Sequence, residues 1–264
     1  MKKKGICYGL ILLFVTFSVW AEAKKAWMQS SYIVESFIDI ALNNEYASHK
    51  SGIRKWKQPI RYYFIHRVAD ESLHEYLSNL HLSHLKNITG HDIQETKQAK
   101  EANLYIIFSK ERFLEQELKN DFKIKSKTER KQLVKNSVCL AHFYVNQDSS
   151  LQKAVVIIPV DRARAKAKLV SCIVEELTQI MGLPNYSDKV FPSIFNDKSS
   201  NELLSGLDYI LLKILYHPDL KIGLREKNVR GIVNNIIQQF NQQGIVSQAE
   251  NKVMAGELYP LLYN

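Results

Sequence analysis

Cys172-Ile173-Val174-Glu175-Glu176-Leu177-Thr178-Gln179-Ile180-Met181-Gly182-Leu183-Pro184-Asn185 sets an apolar helical pattern against two adjacent carboxylates and an abrupt stop. The pattern predicts a helix from Arg162 to Met181, apolar on one face in its second half. Gly182 and Pro184 end it. A loop with Pro192 follows, and then a very apolar helix from Leu203 to Tyr216, stopped by Pro218. Glu226 to Phe240 reads as a last amphipathic helix.

Upstream, the period changes from helical to alternating. Ile60, Tyr62, Phe64 and His66 alternate with Arg61, Tyr63 and Ile65 after Pro59, which predicts a strand. Asn103 to Ser109 is a strongly apolar run and reads as a central strand. Leu140 to Asn146 and Ala154 to Ile158 flank a polar turn at Gln147 to Ser150, a hairpin signature closed by Pro159. Between and before the strands lie helical patterns at Ser31 to Asn44, Asp70 to Leu85 and Arg112 to Lys119. On the second of these, Leu73, Tyr76, Leu77 and Leu80, with His84 and Leu85, are expected together on the buried side. Ser48 to Lys57 reads as a basic link. The fold class is α+β, a small mixed sheet with helices packed on it and a helical C-terminal part.

The N-terminus has its own logic. Lys2, Lys3 and Lys4 precede an apolar run from Ile6 to Trp20, which ends in Ala21-Glu22-Ala23. This is the pattern of a secretory signal peptide over residues 1–23, and the run is short for a membrane span. The expectation is an exported protein, periplasmic or secreted, with no membrane span after cleavage and one domain over residues 24–264. The 264 residues carry a formal charge of +9, are 45% hydrophobic and 24% charged, which excludes a disordered or collagen-like chain. The densest basic run, Lys123 to Lys135, reads as a solvated loop and helix face. It has no recurring aromatic residues, so no nucleic-acid partner is expected. Cys139 and Cys172 remain after cleavage, and an even count in an exported chain points to a disulfide. Two buried free thiols are the alternative.

The quoted stretch resembles the zinc-peptidase pattern H-E-x-x-H-x-x-G-x-x-H. In that pattern two histidines one turn apart hold zinc, the Glu activates water, and the Gly lets a third ligand swing back. Here Glu175 takes the first ligand position, Glu176 the general-base position, Gln179 the second ligand position, Gly182 the turn and Asn185 the third ligand position. All three histidines are missing. The helix around Asp208 and Tyr216 also resembles the one that follows such a site, and the order of strands before the helix fits a zincin-like domain.

One carboxylate and two carboxamides make a poor zinc site, because zinc prefers imidazole or thiolate. Asp188, Asn196 and Asp197 would have to add oxygens to hold a hard cation. The expectation is therefore no metal and no cofactor. Without a metal, Glu176 is a weak base for amide hydrolysis, so it is a candidate catalytic residue only for an unusual hydrolase. Glu175, Gln179, Asn185, Asn196 and Asp197 are read instead as a binding groove or a hydrogen-bonded network holding the turn together. His74, His81, His84 and His91 cluster in sequence, and the reading there is solvated side chains on a surface helix. No G-x-S-x-G elbow and no phosphate-cradling glycine loop occur.

The chain is more specifically similar to the domain-of-unknown-function 2927 family of exported bacterial proteins. The match rests on Lys55-Trp56-Lys57-Gln58-Pro59, the Cys139 to Cys172 spacing, Glu175 to Gln179 running into Gly182 to Asn185, Ser193-Ile194-Phe195-Asn196-Asp197, and Leu215-Tyr216-His217-Pro218 followed by Gly223. It covers roughly residues 33–237. The family often has Asp where this chain has Tyr186. The resemblance implies the fold and export but no reaction. The leading expectation is a non-catalytic binding domain of the cell envelope, whose partner is a peptide, a protein or an envelope polymer. The alternatives are a hydrolase using Glu176 and a structural accessory protein.

Overall fold

The structure is a computed structural model that describes residues 25–43, 52–199 and 201–263; the signal-like segment 1–23 lies outside them. Six strands form one mixed sheet: β1 (Lys55–Trp56), β2 (Ile60–His66), β3 (Ile93–Glu95), β4 (Leu104–Ser109), β5 (Leu140–Val145) and β6 (Ser150–Pro159). The path runs β1-β6-β4-β2-β3, all parallel, and β5 pairs antiparallel with the far side of β6. The expected hairpin is therefore present, with Leu140 opposite Ile157 and Phe143 opposite Ala154. Asp148 closes its turn by accepting the Ser150 N–H at 2.9 Å.

Helices cover both faces. On the larger side lie α1 (Ser30–Leu42), α2 (Glu71–Thr89), α6 (Leu169–Gln179), α7 (Gly206–Leu215) and α8 (Glu226–Gln242). Their apolar side chains join Ile60, Phe64, Ile106, Phe108, Val156 and Ile158 in one core. The opposite face is smaller. There Ile107, Val155 and Ile157 meet Leu114 and Leu118 of α3 (Leu114–Asn120) and Phe122, with α4 (Lys127–Asn136) packed on α3. The split follows from the period-2 pattern of strands buried on both sides. The C-terminal segment adds α9 (Ala249–Met254) and α10 (Tyr259–Leu262). Near it, Trp27 is buried against Gly206.

Three expectations need correction. The single helix from Arg162 to Met181 is two, α5 (Val160–Ala165) and α6. Ala167 adopts a left-handed φ of 54° between them. No Gly or Pro marks the break; Arg162, Arg164, Lys166 and Lys168 crowd like charges along that stretch, which disfavours a continuous helix. The helix expected from Leu203 begins instead at Gly206. Ser205 and Asp208 form a reciprocal capping box there. Finally, α2 is rolled relative to the expected face. Leu73 and Tyr76 are exposed, while His74, Ser78 and His81 are buried beside Leu77, Leu82 and Leu85.

Candidate functional site

The end of α6 is built by the residues just before the sheet. Gly182 has φ 117°, and a Cβ there would overlap the carbonyl oxygen of Arg54. Only glycine allows that approach. The chain from Ile53 to Trp56 then runs as a strap across the helix ends. Ile53 exchanges backbone hydrogen bonds with the 223–224 segment, at 2.8 Å in each direction. Trp56 Nε1 donates to the Ile180 carbonyl at 2.7 Å, and Tyr216 Oη donates to the Met181 carbonyl at 3.0 Å. These carbonyls would otherwise be left over at a helix C-terminus. Lys55 does the same for α7, with Nζ 2.9 Å from the Leu215 carbonyl and 2.7 Å from that of Leu220. Burial, and then Lys221, bring its ammonium down to about 8. The Lys55-Trp56 motif is thus a staple between two helices.

On α6 itself the two carboxylates differ. Glu176 is 4% exposed and Gln179 9% exposed, so both face the interior. Glu175 is half-buried, and its carboxylate accepts a hydrogen bond from Tyr186 Oη. Tyr186 therefore gives Glu175 a neutral donor. Nearby, the Arg54 guanidinium lies 5.7 Å from the ring centroid of Phe143 on β5. Burial lowers the Arg54 pKa. The disulfide Cys139–Cys172 ties the start of β5 to α6, consistent with the even cysteine count.

The remaining candidates serve other contacts. Asn185 turns to α1, where its Nδ2 donates to the Asp39 carbonyl at 3.0 Å and its N–H to the Ile40 carbonyl at 3.2 Å. Ser187 bonds the Asp39 carboxylate, and its N–H reaches the Phe195 carbonyl at 2.8 Å. Asn196 braces its own loop, donating to the Val190 carbonyl at 3.1 Å and accepting from Lys198 N–H at 2.9 Å. Asp197 is exposed. The six candidates thus fall into three groups: Glu175, Glu176 and Gln179 on α6, Asn185 at α1, and Asn196 with Asp197 in the loop. Among the described residues, no group of three or more His, Cys, Asp or Glu is placed to hold an ion.

Beneath that loop lies a buried network. Asp208 is fully buried and accepts from Ser193 Oγ at 2.6 Å, Ile194 N–H at 3.1 Å and Ser205 N–H at 2.8 Å, while the Ser205 hydroxyl shares its one proton between Asp208 at 2.8 Å and the Pro192 carbonyl at 2.7 Å. Burial pushes its carboxyl up to about 6 against the pull of those donors. Sequence reasoning placed Asp208 near a helix start but missed its role. Ser205 three residues before an acidic residue was the available signal. Arg54 and Phe143 carried no local signal, because their meeting depends on the strap and the hairpin coming together.

No curated protein matches the chain. Residues 30–235 match the family described as protein of unknown function, DUF2927. That match spans the strap, the sheet, the disulfide, α6 and α7, and on it the chain belongs to the DUF2927 family.

Proposed function

We propose that the chain is an exported, zincin-like domain that binds an extended polypeptide and does not cut it. The observation that carries this reading is the contrast between α6 and β5. Glu176 and Gln179, at the general-base and second-ligand positions, are withdrawn from solvent. A general base must reach the proton it takes, and a carboxylate withdrawn from solvent is badly placed to take one from an attacking water. Beside it, β5 pairs with β6 alone among the described residues, and its other edge has no strand partner. Such an edge offers main-chain donors and acceptors to an added strand. The zincin-like reading draws support from the order of the elements: the parallel strands β1 to β4, the antiparallel edge strand β5, the parallel β6, and then, after α5, the helix with the two carboxylates. Phe143 of β5 with Arg54, and Glu175 of α6 with Tyr186, would supply an apolar surface and charges of both signs for selecting side chains.

A displayed library of random peptides, selected on the exported chain, tests this. Selected peptides are expected to slow amide exchange over Leu140 to Val145. Glu176→Gln is expected to leave their affinity within about twofold, whereas Phe143→Ala weakens it about tenfold, the scale of one lost interface anchor. A footprint away from β5, or peptide cleavage abolished by Glu176→Gln, would overturn the reading. Cleavage would favour the hydrolase.

A further inference from the structure

α2 holds three histidines, and the fold encloses all of them. His74 is 0% and His81 1% exposed, and His84 is half-buried beneath Gly256. His81 sits at the seam with α6. Its Nε2 lies 2.9 Å from Thr178 Oγ1, and that hydroxyl donates to the Val174 carbonyl at 2.6 Å. A hydroxyl has one proton to give. Since it goes to Val174, Thr178 must accept from His81, which fixes the ring as the neutral tautomer with hydrogen on Nε2. We propose that this seam is an acid-operated latch: a second proton, taken up from solvent at His81 Nδ1, puts a charge into the desolvated α2–α6 seam, which favours parting of the two helices and frees the one that carries Glu175 and Glu176.

The groups around the ring explain why it resists charge. Across the seam α6 presents Val174 and Thr178, both uncharged, with Glu175 and Glu176 elsewhere on the same helix. α7, which also packs on α2, carries Asp208 and Lys213, and β3, the third element against α2, carries Glu95, paired with Lys97. Asp208 is held by donors from Ser193, Ile194 and Ser205. His84 lies one turn along α2. Its Nε2 is buried without a hydrogen-bond partner, and Lys252 and Glu257 line the ≈ 160 Å³ cleft beside it. Desolvation first, and His84 second, lower the His81 pKa to about 3, against a smaller opposing pull from the Val174 carbonyl. Desolvation takes His84 to about 4. Once α2 and α6 part, the His81 ring regains water and titrates near the ordinary value of about 6.5, while His84 stays packed under Gly256.

The sign follows from linkage. The open state binds more protons than the closed one between these values, so acid favours opening. One histidine released in this way raises the opening equilibrium about 30-fold between pH 7.5 and pH 5.

Amide exchange on the full chain at the two pH values, corrected for intrinsic rates, reads this directly. The expected result is about a 30-fold loss of protection in α2 and α6 at pH 5, with α8 changing less than about threefold. His81→Gln keeps an N–H for Thr178 but takes up no proton, and it is expected to remove the response. Equal losses in the wild type and His81→Gln would overturn the latch. If that variant does not fold, the imidazole resonances of the wild type decide. Titration of His81 near 6.5 with α6 protection unchanged overturns the proposal, and protonation coinciding with the loss of α6 protection sustains it.

Discussion

At the scale of single residues, the buried polar groups carry the specificity of this fold. Asp208 accepts hydrogen bonds from Ser193, Ile194 and Ser205, and so joins the start of α7 to the loop before it. Asp208→Ala leaves two backbone N–H groups without an acceptor, and the expected cost is about 3 kcal/mol or more. Asp208→Asn separates geometry from charge. The folded carboxyl titrates near 6, above the 3.8 of the free group. The folded state therefore binds more protons between those values, and this group's contribution to stability is lost as pH rises through 6. Denaturant midpoints should show Asp208→Asn costing about 2 kcal/mol more at pH 4.5 than at pH 6.5. A cost that does not change with pH would mean that the carboxylate stays ionised throughout.

At the scale of elements, most of the fold is legible where a period is sustained. The alternation over Ile60 to His66, the apolar run over Leu104 to Ser109 and the hairpin signature each gave a strand where the sequence placed it. β3 was missed because Ile93–Glu95 is three residues long, with one buried side chain. The α5–α6 break was missed because charge crowding leaves no punctuating residue. The roll of α2 was missed for a different reason. His74 and His81 count as polar in any pattern, yet their rings pack as flat apolar bodies, His74 stacking 4.5 Å from Phe108. At the site, the spacing of Glu175, Glu176, Gln179 and Gly182 was readable because it is local to one helix. The partnership of Asn185 with Asp39 spans 146 positions and was not. The disulfide is the element-scale link between β5 and α6, and it closes a loop of 33 residues. Replacing both cysteines by serine should lower unfolding free energy by roughly 3–4 kcal/mol on the chain-entropy account. If the peptide edge depends on α6 as its wall, the same variant also weakens selected peptides while Asp208→Asn does not.

At the scale of the whole molecule, the strap explains how the end of α6 is held in place. Trp56, Tyr216 and the Gly182 turn meet the carbonyls at the end of α6, Lys55 meets those of α7, and Asn185 ties the turn to α1. These contacts come from the backbone, an indole, a phenol, an ammonium and a carboxamide. A carboxylate with two carboxamides is also a weak set for zinc, which favours nitrogen and sulfur donors. The folded chain should therefore gain no stability from a divalent ion. An ion bound at a hundred times its dissociation constant would add about 2.7 kcal/mol, which for a domain of this size is roughly 5–10 °C in Tm. Zinc, calcium and magnesium added to chelated protein are expected to move Tm by less than about 1 °C on that scale, and protein exported without a tag should carry no stoichiometric metal. One equivalent of metal in the wild type, lost in Glu175→Ala with Gln179→Ala, would reverse this conclusion. It would place an ion on α6 beside Glu176 and turn the search from ligands to substrates.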